Sequence, residues 1–233
     1  MSNDEKWIDG IAKDNVFHRR LSDLRNTSIN QDHIAALEEL NKPRQQTMFS
    51  SPEPRKKTIL SHDDVIRIAF YDDGTQAYNF RYLVRRLERE IKRSKRYNRA
   101  VSVMIVAVEG FDKIEESYGV TALDLAVSTV ADMLIDLTRQ EVDMVARYGN
   151  NKFILMLPET PGSGAAILAE RIRKKIEVTP VEYRWHKLYV EGSIGIAYFP
   201  GIGSDAGELI AKADLATDMV LDKGGNGTAF CPV

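Results

Sequence analysis

Apolar and polar positions along this 233-residue chain change character near residue 61. Before it the sequence is polar, with short apolar patches. Trp7, Ile8 and Ile11, then Phe17, Leu21 and Leu24, recur at helical spacing, and Ile34, Leu37 and Leu40 form another patch before Pro43. Residues 42–57 read as a linker, with Pro43, Pro52 and Pro54 among Ser, Gln and Arg. Residues 1–60 are therefore expected to be an N-terminal arm of short helices and extended chain, too poor in apolar residues to build a core.

From Ser61 the pattern is dense, so residues 61–233 are expected to be one domain. Ser61 to Asp64 is an N-cap signal ahead of Val65, Ile66, Ile68, Ala69 and Phe70. Residues 72–75 form a turn, and Phe80, Leu83, Val84, Leu87 and Ile91 mark one face of a long helix. Val101 to Val108 is almost wholly apolar, which predicts a central buried strand. A helix through Leu123–Leu137, a hairpin around Gly149, a helix over 165–176, a strand over 188–198 and a helix over 205–221 follow. One further strand is expected near 181–185. Helices packed on one sheet that contains an antiparallel hairpin predict an α+β fold, an α/β sandwich.

Composition narrows the function classes. At 43% hydrophobic and 28% charged, with a net charge of −2, the chain has no global pull toward nucleic acid or anionic membrane. One cysteine, Cys231, permits no disulfide within the chain, and no secretory signal or membrane-length apolar run is read. A cytoplasmic protein is expected, without nucleic acid or membrane insertion. His18, His33, His62 and His186 show no ligand spacing, so no metal site and no cofactor are expected.

The most informative segment is Arg147-Tyr148-Gly149-Asn150-Asn151-Lys152-Phe153, set between two apolar runs as in a hairpin. It resembles the signature turn of the GGDEF family, the diguanylate cyclases. Residues 72–83 are similar to the family's opening motif through Asp72, Thr75, Asn79 and Arg81. Val108 to Phe111, Ser117 to Gly119, Gly192 to Ala197 and Ala211 to Asp214 resemble further family segments, in the family's order, over residues 62 to about 228. The resemblance implies a nucleotidyl-cyclase-like, mostly antiparallel sheet flanked by helices. It also implies a reaction in which two facing domains join two GTP molecules into cyclic di-GMP with the help of two metal ions.

The positions that would carry this chemistry are altered. Ala107 stands where the resemblance places one metal-binding acid and Asn151 where it places the other; Glu109 matches a second acid that is not the principal ligand. Lys152 adds a cation beside them, expected to repel a divalent metal by ~1 kcal/mol or more at contact range in water. Asn150 replaces a signature glycine beside Gly149, although Asn tolerates positive φ and can still close a tight turn. Of the implied guanine contacts, Asp124 is kept and the other is Glu115; the implied phosphate contacts are Leu221 and Gly225. In the family's Arg-x-x-Asp product site Asp143 is kept, the Arg position is Gln140, and Arg139 lies one residue away.

These readings lead to an expectation that the chain is not an enzyme but a regulatory or protein-interaction module in bacterial signalling. The alternatives are a receptor for GTP or cyclic di-GMP, through Asp124, Arg139 and Asp143, and residual cyclase activity in a heterodimer. A protein partner is expected. Trp7, Ile8, Ile11 and Phe17 could dock on the domain or enter a partner's groove. The basic helix over 79–99 reads most simply as a solvated face, and otherwise as a surface for an acidic partner. A homodimer is a further possibility.

Overall fold

The computed structural model describes residues 61–232. The apolar patches of the arm, with Trp7, Ile8, Ile11 and Phe17, lie outside the described residues.

The first helix, α1 (His62–Phe70), opens on Ser61, whose hydroxyl accepts from the Asp64 amide while the Asp64 carboxylate accepts from the Ser61 amide. This is the reciprocal cap expected from the sequence. A two-residue strand β1 (Tyr78–Asn79) leads into α2 (Phe80–Tyr97), which Asn79 caps by accepting from the Tyr82 amide. Then come β2 (Val101–Glu109), α3 (Phe111–Tyr118), α4 (Val120–Leu137), β3 (Met144–Arg147), β4 (Lys152–Pro158) and α5 (Gly162–Val178). A hairpin of β5 (Val181–Tyr183) and β6 (His186–Leu188) precedes β7 (Glu191–Phe199), α6 (Ala206–Asp222) and β8 (Thr228–Phe230).

Six strands make one sheet in the order β1-β3-β4-β2-β7-β8. The three central pairings are antiparallel, and the two edge strands join in parallel. The sheet is mixed and flanked by helices, as expected. Strand β2 lies between β4 and β7, which explains its almost wholly apolar run: Val101 to Val108 are all buried, Ser102 included. Met104, Val106 and Val108 face a core shared with Ala126, Val130 and Ile172 of α4 and α5.

On the opposite face α6 packs against β2 and β7. A Cβ at Gly195 would lie 2.1 Å from the Ala213 carbonyl oxygen and 2.3 Å from the Thr217 nitrogen, so only glycine admits the helix this close. Thr217 fastens the contact by donating to the Ile105 carbonyl at 3.1 Å.

Several elements differ from expectation. The edge strands β1 and β8 are too short for any periodicity to reveal. The segment after α5 is a hairpin rather than one strand, because Arg184 takes φ 56 and reverses the chain between β5 and β6. Gly110, at φ 96, and Gly119, at φ 81, bracket α3 as a helix of its own.

Candidate functional site

The register of β2 with β4 sets Ala107 directly opposite Lys152. The two positions at which the resemblance places metal-binding acids, 107 and 151, are therefore neighbours in space. Asn151 is tied to the end of β2: its carbonyl accepts from the Val108 amide at 2.8 Å, and its side-chain amide donates to the Val108 carbonyl at 3.4 Å.

The turn closes differently from expectation. None of Gly149, Asn150 or Asn151 takes a positive φ. The amides of Tyr148 and Gly149 both donate to the Lys152 carbonyl, at 2.9 and 3.1 Å, which makes a wider loop than a two-residue turn. Arg147 grips the loop from within by donating to the Asn150 carbonyl, and its guanidinium lies 4.8 Å from the centre of the Phe153 ring. Burial pushes the Arg147 guanidinium below its ordinary pKa, with the Asp72 charge opposing the shift.

Lys152 is the centre of the site. Its ammonium donates to Asp214 at 2.7 Å and to Asp218 at 3.0 Å, both on α6. Tyr148 donates to the other oxygen of Asp214 at 3.2 Å. The Lys152 and Asp214 side chains are only 16% and 21% exposed, whereas Asp218 is 56% exposed. The cation expected to repel a divalent metal is thus neutralised by two carboxylates one helical turn apart. The spacing of Asp214 and Asp218 was visible in the sequence, but nothing local pointed to a lysine on the hairpin.

Glu109 has a role that sequence reasoning missed. One of its oxygens accepts from the Ser193 hydroxyl at 2.6 Å and from the Asn226 amide at 3.0 Å. A Cβ at Gly225 would lie 2.0 Å from its other oxygen, and Gly225 holds φ 77. Gly225 therefore makes room for Glu109, which pins the turn between α6 and β8. The side chain of Asn226 extends the network, donating to Glu177 at 2.9 Å and accepting from Arg173 at 2.7 Å. Leu221, the other position of the implied phosphate clamp, is half-buried.

The remaining expected ligand residues divide. Asp124 and Glu115 stand exposed, on α4 and α3. Arg139 and Asp143 do come together, through a bidentate pair whose shortest bond is 2.6 Å. The pair is closed on itself, because Arg139 also donates to the Pro158 carbonyl and to Thr160, at 2.8 and 2.9 Å. The Asp143 side chain is 2% exposed.

Residues 69–227 match the family described as "Diguanylate cyclase, GGDEF domain". The chain belongs to the GGDEF family. It is 33% identical over 167 residues to the bifunctional diguanylate cyclase/cyclic di-GMP phosphodiesterase MucR of Pseudomonas aeruginosa, covering 72% of this chain and 24% of MucR. It is 34% identical over 116 residues to diguanylate cyclase A of Treponema denticola, covering 50% of this chain and 31% of that protein. The chain thus spans about a quarter to a third of the length of these curated relatives. Among solved structures, the GGDEF domain of TpbB (YfiN) from P. aeruginosa superposes with a TM-score of 0.67 at 22% identity, covering 70% of this chain and 94% of that one. The coiled coil and GGDEF domain of DgcB from Caulobacter crescentus gives a TM-score of 0.67 at 18% identity, over 91% of this chain and 98% of that one. These likenesses show the fold.

The expectation that the chain is not an enzyme is overturned by these relatives, which are named as diguanylate cyclases and place the GGDEF domain in an enzyme family. The metal pair implied by the family is a separate matter. An alanine methyl, a carboxamide already bonded to backbone and an ion-paired ammonium are not hard oxygen donors, so positions 107, 151 and 152 do not fit such ions. Among the described residues no group of three or more His, Cys, Asp or Glu side chains is placed to hold a metal.

Proposed function

We propose that this GGDEF domain is a regulatory, protein-interacting module of cyclic di-GMP signalling that acts by associating with a second GGDEF domain. One observation carries the reading: Lys152, in the signature turn, is committed to Asp214 and Asp218. The turn is thereby locked onto α6 by side chains at the very place where the family's chemistry calls for carboxylates. Glu109 and Gly225 act in the same sense, holding the turn after α6. The hairpin and the turn after α6 are thus both held by side-chain contacts. The named activities of the relatives supply the signalling context. The boundary near residue 61 fits a module carried on an arm.

Size-exclusion chromatography of the full chain with a purified GGDEF cyclase tests association. Joint elution is expected, and separate elution at concentrations above about 10 μM, where a moderate protein–protein affinity would be saturated, contradicts the reading.

A further inference from the structure

The charge of the described domain is unevenly placed. Between residues 79 and 99 there are nine Arg or Lys and two Glu, whereas the rest of residues 61–233 carries thirteen Arg or Lys and twenty-three Asp or Glu. One helix is strongly positive on a body that is otherwise strongly negative. Helix α2 is held by its apolar side, with Leu83, Val84, Leu87, Ile91 and Ser94 buried. Its outer side presents Arg81, Arg85, Arg89, Lys92 and Arg96, all exposed and spaced by three or four residues in one stripe about 22 Å long. Arg93 and Arg99, beside the stripe, are paired with Glu159.

We infer that this stripe is the docking surface for a short acidic segment of a partner protein; the inference deepens the protein-interaction reading and rests on it. Charge complementarity selects an anionic occupant. The acidic remainder of the domain selects its size. A long polyanion, such as a nucleic acid or an anionic membrane plane, extends beyond about 22 Å, past the stripe and toward a domain whose other charges are mostly acidic. A segment no longer than α2 meets only the stripe, and the net negative charge of the rest of the domain disfavours its approach from elsewhere.

The test is fluorescence anisotropy with the full chain and three probes: a labelled glutamate-rich peptide of the length of α2, labelled oligothymidine, and phosphatidylcholine vesicles containing phosphatidylserine. The chain is expected to bind the peptide, with affinity falling as salt rises. Arg89→Glu with Lys92→Glu weakens binding about tenfold or more, and Arg89→Gln with Lys92→Gln weakens it less. Lys174→Glu with Lys187→Glu makes the same change in net charge on other elements and leaves binding within about twofold. Thermal melting confirms that each variant is folded. Failure to bind the peptide, equal loss in the Lys174/Lys187 control, or tighter binding of oligothymidine or vesicles overturns the inference. If the Arg89/Lys92 reversal still co-elutes with a cyclase, this surface is wrong and the regulatory reading stands. Peptide binding through α2 without any cyclase association has the opposite meaning.

Discussion

The ammonium of Lys152 lies 2.7 Å from a carboxylate oxygen of Asp214, sixty-two residues further along the chain. This contact joins the signature hairpin to the last long helix. Replacing Lys152 with Met strands a largely buried carboxylate, so a loss of about 1–3 kcal/mol is expected in chemical denaturation. Asp218→Asn removes the more exposed partner and costs no more than about 0.5 kcal/mol. Equal losses from the two variants would show that the bridge has been misread.

Glu109 is expected to behave as a fastener. Glu109→Ala leaves the Asn226 amide and the Ser193 hydroxyl without their shared acceptor, a cost of about 1–3 kcal/mol. The Asn226 amide should then exchange with deuterium much faster than in the parent. Gly225→Arg is destabilising for two reasons, the positive φ and the contact with Glu109. Unchanged exchange at Asn226 in Glu109→Ala contradicts this role.

The start of α6 gives a pH prediction. The Glu208 carboxylate accepts from the Ser204 amide at 2.8 Å, from the Ser204 hydroxyl and from Lys212, and its pKa is lowered from 4.5 to about 2, with the Ser204 amide the largest cause. A depressed folded-state value means that the contribution is fully present above the unfolded value of 4.5 and is lost as pH falls toward 2. Carboxyl NMR titration should place the Glu208 midpoint near 2, and Ser204→Pro, which removes the amide donor, should raise it. A midpoint near 4.5 in the parent contradicts the assignment.

The donor set gives a prediction about metal. Ala107→Asp combined with Asn151→Glu places two carboxylates on adjacent backbone positions, and Mn²⁺ binding by calorimetry should tighten about tenfold or more. No gain in the double variant would mean that position 152, or the loop geometry, controls the site instead.

Much of the fold was legible because its signals are local. The apolar run of β2, the Ser61 cap and the amphipathic stripe of α2 are each written within a few residues. The edge strands β1 and β8 left no such trace, since two or three residues pairing in parallel depend on neighbours far along the chain. The site was half legible. Positions 107 and 151 could be picked out by resemblance, but the partners of Lys152 and Glu109 lie between 62 and 117 residues away. Only the folded chain joins them. The turn around Gly149 was expected to rely on positive φ, yet two amides sharing one carbonyl close it without that conformation.

The most direct test of the central claim is the rate of cyclic di-GMP formation from GTP and Mg²⁺ when the full chain is titrated into a purified GGDEF cyclase. The account predicts that the rate departs from the sum of the two proteins' separate rates and that the change saturates with added chain. A rate equal to that sum at every ratio would contradict it.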